Sequence, residues 1–402
     1  MLLAVSAACI ACSSTTDSLG DSTQPSASLE PLSGPASYPN PFKDLLGKTN
    51  AEIDKKLADS FNQLFHGDPL TEAIYAEAGD QAVIVDVFHE DVRTEGFGLA
   101  MLIAVQMNRR TEFDRLWRGA QAFRNTSGEY IGFYKSKCDV PSGTIDCMDP
   151  YGLQQFAIAL IFAHDRWKLE PATIDYGKAA RDVLFVLERR LEDRAASTTR
   201  QVANSFDDAT TLVLHEPKVE AQGFTRPSLV MPAYYHLFGQ ATADPFFDQA
   251  TAAARTYLAS VAHKDTGLTP VRTDLSGKPL ADYDTFQPEN YRVQINLTLD
   301  QIWAGNDNSA VSNRLLRFFT NQGKDTYGRA FSLDGKTVLD TAHESALVSA
   351  NGITALIADN SDRYDFVNAV WEQPLATGAS RYYGGLFQLL ALLALSGQLR
   401  VY

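Results

Sequence analysis

The run Asp91-Val-Arg-Thr-Glu-Gly-Phe-Gly-Leu-Ala-Met-Leu-Ile-Ala-Val-Gln-Met107 leaves little freedom to the fold. It begins polar and is then apolar on nearly every face from Phe97 to Met107. A helix at a protein surface carries one apolar stripe and one polar stripe, so this helix is expected to be buried all round. Segments 152–163 and 382–396 share that character, whereas 111–123 and 172–192 are amphipathic and rich in charge. Glu95 stands where the first buried helix begins, with Thr94 beside it as a cap. A carboxyl group there has two readings. It is either a partner for the positive end of the helix dipole or a proton donor facing a cleft.

Apolar periodicity predicts helices over 50–66, 96–108, 111–123, 152–167, 172–192, 228–239, 245–262, 290–303, 309–321, 343–358, 361–371 and 382–396. They fall into consecutive pairs. Buried helices alternating with half-exposed ones imply an inner ring wrapped by an outer ring, an all-α (α/α)6 barrel. Short strand-like pieces at 82–88, 130–134, 211–214 and 269–273 are expected as loops and small ribbons at its mouth. No Pro/Gly linker interrupts 42–402, so this stretch reads as one domain.

Ahead of it, residues 1–12 resemble the end of an export signal. Ile10-Ala11-Cys12 resembles the close of a lipoprotein signal, imperfectly at Cys9, with Cys12 lipidated; simple secretion is the alternative. Residues 13–41, rich in Ser, Thr, Pro and Gly, read as a disordered tether that would hold the domain off a membrane. In an exported protein, Cys138 and Cys147 would close a short loop as a disulfide; two buried thiols are the alternative.

The 49 acidic residues against 35 Lys plus Arg give a net charge of −14, which argues against a nucleic-acid partner. The seven histidines show no metal-ligand spacing, and the chain has no Gly-rich phosphate loop and no GxSxG elbow. Neither a metal nor an organic cofactor is expected, and the protein reads as a monomer.

From Val92-Arg-Thr-Glu-Gly through Glu112-Phe-Asp-Arg-Leu-Trp117, the chain resembles glycoside hydrolase family 8. Within that family it is most similar to the reducing-end xylose-releasing exo-oligoxylanases. The resemblance continues through 152–167, Arg226-Pro-Ser-Leu-Val-Met-Pro-Ala-Tyr-Tyr235, Asp265-Thr-Gly-Leu268, Tyr291-Arg-Val-Gln-Ile-Asn296 and 343–351. It ends in Pro374–Gly385 and Leu395–Arg400. It implies the (α/α)6 barrel, an oligosaccharide or polysaccharide substrate and hydrolysis by inversion. Such chemistry needs a protonated carboxyl on one side of the glycosidic bond and an ionised one on the other, roughly 6.5–9.5 Å apart.

The resemblance makes Glu95 the general acid and Glu289 the general base, where the family has an aspartate. Three departures stand out. The family's Pro-Asp-Gly, whose acid helps hold the sugar, is Pro150-Tyr151-Gly152, with Asp149 just upstream. A Trp platform is replaced by Lys135-Ser136-Lys137, and an Asp-Pro-Ser by Arg226-Pro227-Ser228. The resemblance implies a β-linked xylo-oligosaccharide as the default substrate. Losing an acid and a Trp while gaining cations favours an acidic or substituted glycan as the variant, with Lys135 and Lys137 as solvated loop residues the alternative.

Tyr234, Tyr291, Arg292, His343, Arg381 and Tyr382 complete the expected substrate contacts, His343 at the reducing end. Phe97, Tyr134, Tyr235 and Tyr383 are further aromatic candidates. A non-catalytic glycan-binding lipoprotein of the same fold is the alternative reading, resting on the acid lost at Tyr151.

Overall fold

Twelve helices that alternate between buried and half-exposed can bury their apolar surface most fully by wrapping one ring around another. The computed structural model describes residues 28–35, 37–126, 130–139, 145–146, 148, 150–171, 173–188 and 202–402. After the single turn Pro41–Asp44, the helices are α1 (Asn50–His66), α2 (Thr94–Gln106), α3 (Arg110–Ala120), α4 (Pro150–Arg166), α5 (Tyr176–Glu188) and α6 (Pro232–Thr242). They continue with α7 (Pro245–Val261), α8 (Tyr291–Ala304), α9 (Ser309–Gly323), α10 (Ser345–Ile357), α11 (Arg363–Glu372) and α12 (Arg381–Leu395).

The even-numbered helices form the inner ring. Every residue of α2 from Gly96 to Gln106 is buried, as is every residue of α4 from Pro150 to Ala163. Neighbours pack in the order α2, α4, α6, α8, α10 and α12, and α12 packs back on α2 to close the ring. Outside it, α1 lies on α12, α3 on α2, α5 on α4, α7 on α6, α9 on α10, and α11 on α10 and α12. This is the (α/α)6 barrel expected from the alternation.

Local chemistry sets the ends of the helices. Thr49 and Glu52 form a reciprocal capping box at the start of α1. The sharp passage from α6 to α7 places Ala243 at φ 55°, after which the Asp244 side chain accepts from Phe246 N and Pro245 opens the next helix. Helix α6 begins at Pro232 and not at 228, because Pro227–Leu229 forms a separate 3₁₀ turn. That turn is pinned from the ring. Asn296 Nδ2 donates to Ser228 O and Val230 O at 3.3 and 3.0 Å, and Gln154 Nε2 donates to Leu229 O at 3.2 Å.

Strands gather at the end of the barrel where the inner helices begin. An antiparallel sheet runs in the order β1 (Tyr75–Ala78), β2 (Gln81–Asp86), β3 (Asp91–Arg93), β4 (Lys137–Asp139) and β5 (Ile145–Asp146). Arg93 lies opposite Lys137 across β3 and β4. Two smaller ribbons pair β6 (Phe224–Thr225) with β7 (Thr273–Asp274), and β8 (Thr285–Phe286) with β9 (Ala330–Ser332) and β10 (Val338–Asp340). The piece expected over 82–88 is β2. Those at 130–134 and 211–214 reduce to single bridges at Tyr134 and Val213, and that at 269–273 contributes only Thr273 to β7.

The opposite end of the barrel holds the C-terminal tail. Gln106, at the end of α2, donates to Arg400 O and accepts from Arg400 N, and Trp303 Nε1 donates to Leu399 O. The Tyr38 hydroxyl accepts from Leu399 N, Leu29 is buried, and Glu30 N donates to Ala241 O. The tether expected through residue 41 is therefore corrected. From residue 28 the chain packs on the barrel wherever it is described, because Leu29, Leu32 and Tyr38 give it apolar surface to bury. Residues 1–27, with Cys12, lie outside the described residues.

Helices α2 and α4 approach at Gly98, where an added Cβ would overlap Gln155 Cβ. Replacement Gly98→Ala is expected to destabilise the barrel by about 1–3 kcal/mol through overpacking, read as a lower denaturation midpoint. An unchanged midpoint would mean the two helices have room to part.

Candidate active site

Because the inner helices all begin at one end, the first turns of that ring converge on a single space. A cleft of about 740 Å³ opens there. Glu95 enters it from the first turn of α2, Tyr151 from the first turn of α4, and Arg226 from the approach to α6. Glu289 and Arg292 come from the start of α8, Glu344 from the residue before α10, and Tyr382 and Tyr383 from the start of α12. In the ring order α2 and α8 stand opposite each other, so the two glutamates reach the cleft from opposing walls.

Between those walls runs an ion pair. Arg292 Nη2 donates to Glu95 Oε1, and both side chains are largely buried. The Arg292 guanidinium also lies 4.3 Å from the centre of the Tyr151 ring and 5.9 Å from that of Tyr383. Burial opposes its charge, but Glu95, then Tyr383, Tyr151 and Glu289, outweigh that and raise its pKa well above the ordinary arginine value.

Glu289 sits in the 3₁₀ turn Pro288–Asn290 and accepts from Ser228 Oγ at 3.4 Å. The turn is fixed by Asn290, whose Oδ1 accepts from Gln287 N and whose Nδ2 donates to Pro270 O at 2.8 Å. Ser228 was quoted in its motif but not expected at the site. The pinning of its turn by Asn296 and Gln154 is what brings its hydroxyl to Glu289, and no local pattern announces that.

Tyr382 is buried against α2, where Gly96 leaves room for its ring; an added Cβ there would stand 2.8 Å from Cε2 and 2.9 Å from the hydroxyl. Burial first, and then the Glu95 carboxylate, push this phenol well above its ordinary pKa. Its hydroxyl has no hydrogen-bond partner among the described residues.

Four expected contacts stand elsewhere. Arg381 turns back from the cleft, its guanidinium donating to Ala73 O, Gly378 O and Pro69 O. His343 is exposed, with Nδ1 3.0 Å from Tyr327 O, and lines no part of the cleft. Tyr234 is core, its hydroxyl donating to Gln155 Oε1. Lys135 does not line the cleft, although Ser136 and Lys137 beside it do.

Tyr291 acts from behind the cleft wall, its hydroxyl donating to Arg329 O and to Glu344 Oε2 at 3.0 and 3.2 Å. Phe97, Tyr134 and Tyr235 are also core. Asp149 and Cys147 lie outside the described residues, and Cys138 is disulfide-bonded. Among the cleft residues that the sequence did not offer as site residues are Asp86, Phe88, His89, Arg93, Arg329 and Glu344.

Glu344 is half-buried, and desolvation first, opposed by the Tyr291 hydrogen bond and Arg329, raises its pKa from the ordinary 4.5. A raised carboxyl binds its proton more tightly folded than unfolded, so its contribution is present at low pH and lost as pH rises through the folded pKa. Replacement Glu344→Gln should therefore gain in melting temperature relative to the parent as pH climbs above the usual glutamate range. A constant difference across pH would contradict this.

With that geometry in place, sequence comparison identifies the scaffold. Residues 80–397 match the profile of Glycosyl hydrolases family 8. The reducing-end xylose-releasing exo-oligoxylanase Rex8A of Paenibacillus barcinonensis is 33% identical over 370 residues, covering 89% of this chain and 94% of that protein. The reducing end xylose-releasing exo-oligoxylanase of Halalkalibacterium halodurans is 31% identical over 378 residues, covering 91% and 94%. Among solved structures, Rex8A complexed with xylose superposes with a TM-score of 0.83 at 33% identity, covering 91% of this chain and 98% of that one. A xylobiose complex from Teredinibacter turnerae gives 0.84 at 29% identity, again covering 91% and 98%. Matched over most of its length, this chain belongs to glycosyl hydrolase family 8 and is a glycoside hydrolase.

Proposed function

We propose that the protein hydrolyses β-linked xylo-oligosaccharides with inversion, Glu95 donating the proton and Glu289 activating the water. The observation that carries this reading is the entry of the two carboxyls from opposing inner helices, α2 and α8, into one cleft. A glycosidic oxygen beside Glu95 would receive its proton as the bond to the anomeric carbon breaks. A water held by Glu289 would attack that carbon from the opposite face, giving up its proton to the carboxylate.

In this scheme Arg292 is displaced from Glu95 as sugar enters, since a guanidinium-bound carboxylate has no proton to give. Tyr382, whose hydroxyl has no hydrogen-bond partner among the described residues, supplies a donor beside Glu95. The xylo-oligosaccharide class is supported by the relatives at 31–33% identity, which are named as reducing-end xylose-releasing exo-oligoxylanases. An acidic substituent on that sugar chain is a second reading, favoured by Lys137 and Arg226 lining the cleft.

Purified protein is incubated with xylotriose through xylohexaose and with glucuronic acid-substituted counterparts, and the anomer first released is followed by proton NMR. Hydrolysis should yield the inverted anomer, and Glu95→Gln and Glu289→Gln should each lower kcat by between about a hundred- and ten-thousand-fold. Should substituted chains be preferred, Arg226→Gln should raise their KM and leave that of the plain chains unchanged. Retention of configuration, or near-normal turnover in either glutamine variant, would overturn the assignment of roles. Binding of sugar with no product in all three proteins would favour a non-catalytic module.

A further inference from the structure

The turn between β2 and β3 carries Phe88, whose side chain is 68% exposed at the rim of the cleft. It belongs neither to the core nor to the partly buried residues packed on it, whereas its neighbour Val87 does. An exposed ring on a loose turn would be unremarkable, but this turn is held tightly. Asp86, itself buried, accepts from Phe88 N at 3.1 Å and His89 N at 3.2 Å through Oδ1. Its Oδ2 lies 2.7 Å from His89 Nδ1 and 3.7 Å from the Arg93 guanidinium. Glu90 closes the turn at φ 55°. The His89 imidazole meets the phenyl ring edge-on at 4.8 Å and 86°, which supports one edge of the ring.

A large apolar side chain pre-placed beside a substrate cleft and presented to water is what recognition of a sugar's C–H face requires. Little ordering is left to be done on binding. We propose that Phe88, braced by His89 and Asp86, is a stacking platform for a sugar ring lying beyond the bond that is cleaved, so that this enzyme favours longer chains. The platform replaces at the rim the flat stacking surface that the 135–137 segment lacks. It takes a β-linked pentose or hexose unit through its apolar face, with the His89 ring available to a neighbouring hydroxyl. This rests on the reading of the cleft as an oligosaccharide site, but not on which glutamate plays which part.

The test compares xylotriose with xylohexaose in the full protein and in Phe88→Ala and Phe88→Trp. For Phe88→Ala, KM for xylohexaose should rise about ten-fold with kcat kept and xylotriose unaffected, while Phe88→Trp retains the preference. Equal loss on both substrates, or none on either, would overturn the platform. Calorimetric titration of xylohexaose into Glu95→Gln with and without Phe88→Ala separates this from the catalytic assignment. Weaker binding only with Phe88→Ala supports the platform even if Glu95 is not the acid. Equal affinities overturn the platform alone, and the absence of binding by any variant overturns both it and the oligosaccharide reading.

Discussion

A single guanidinium, that of Arg292, spans the space the cleft exists to offer. It leaves α8, crosses the mouth of the ring and meets Glu95 on the facing helix. A charge withdrawn from water must be compensated where it lies, and removing one member of a buried pair costs about 3–5 kcal/mol. Arg292 meets that demand with Glu95 and with the ring faces of Tyr151 and Tyr383. The pair therefore fixes the separation of the two walls and holds Glu95 in place. On the proposed mechanism, an incoming sugar would have to supply hydroxyl groups able to satisfy the guanidinium as it leaves its carboxylate.

The walls meet as they do because one end of the barrel is built from helix beginnings and the other from helix ends. At the first end, unsatisfied N–H groups and the positive side of the helix dipoles favour acidic side chains, and Glu95, Glu289 and Glu344 are found there. At the other end the C-terminal tail is bound by Gln106 and Trp303, which give its backbone groups hydrogen-bond partners inside the ring. Polarity of the inner helices thus decides which end can receive substrate, and the tail occupies the end that cannot house the acids.

The ring itself was legible in the sequence, because segments such as 97–105 and 384–395 are apolar on nearly every face and are buried throughout. Glu95, from motif and helix start, and Glu289, from the family resemblance, were named from the sequence, and both line the cleft. Which neighbour faces the cleft was not legible. Arg381, Tyr382 and Tyr383 follow one another at the first turn of α12, where successive side chains diverge by about 100°. Tyr382 and Tyr383 enter the cleft, whereas the arginine turns back to the carbonyls of Ala73 and Gly378. His343 likewise does not line the cleft, its ring packing edge-on against the buried Tyr327. Phe88 looked like the end of the strand expected over 82–88, yet β2 stops at Asp86, whose side chain turns the chain toward the cleft. In each case the deciding partner lies outside the local pattern or in a side chain that bends it.

Replacement of an acid by Tyr151 changes the balance around Arg292 more than it changes the shape of the cleft. A carboxylate at that position would have shared the guanidinium with Glu95. The tyrosine offers a ring face worth about 0.5–2 kcal/mol to a cation, where a second charge at close range would offer about 4 kcal/mol. Glu95 is left as the principal charged partner of Arg292, and on the proposed mechanism the work of drawing them apart would fall to the substrate. Contacts made away from the bond being broken can supply that work, because binding energy gained at a remote sugar ring is available to offset rearrangement at the reacting centre. With Tyr151 where the family resemblance implies an acid, and with Phe88 stacking as proposed, recognition would move outward along the sugar chain.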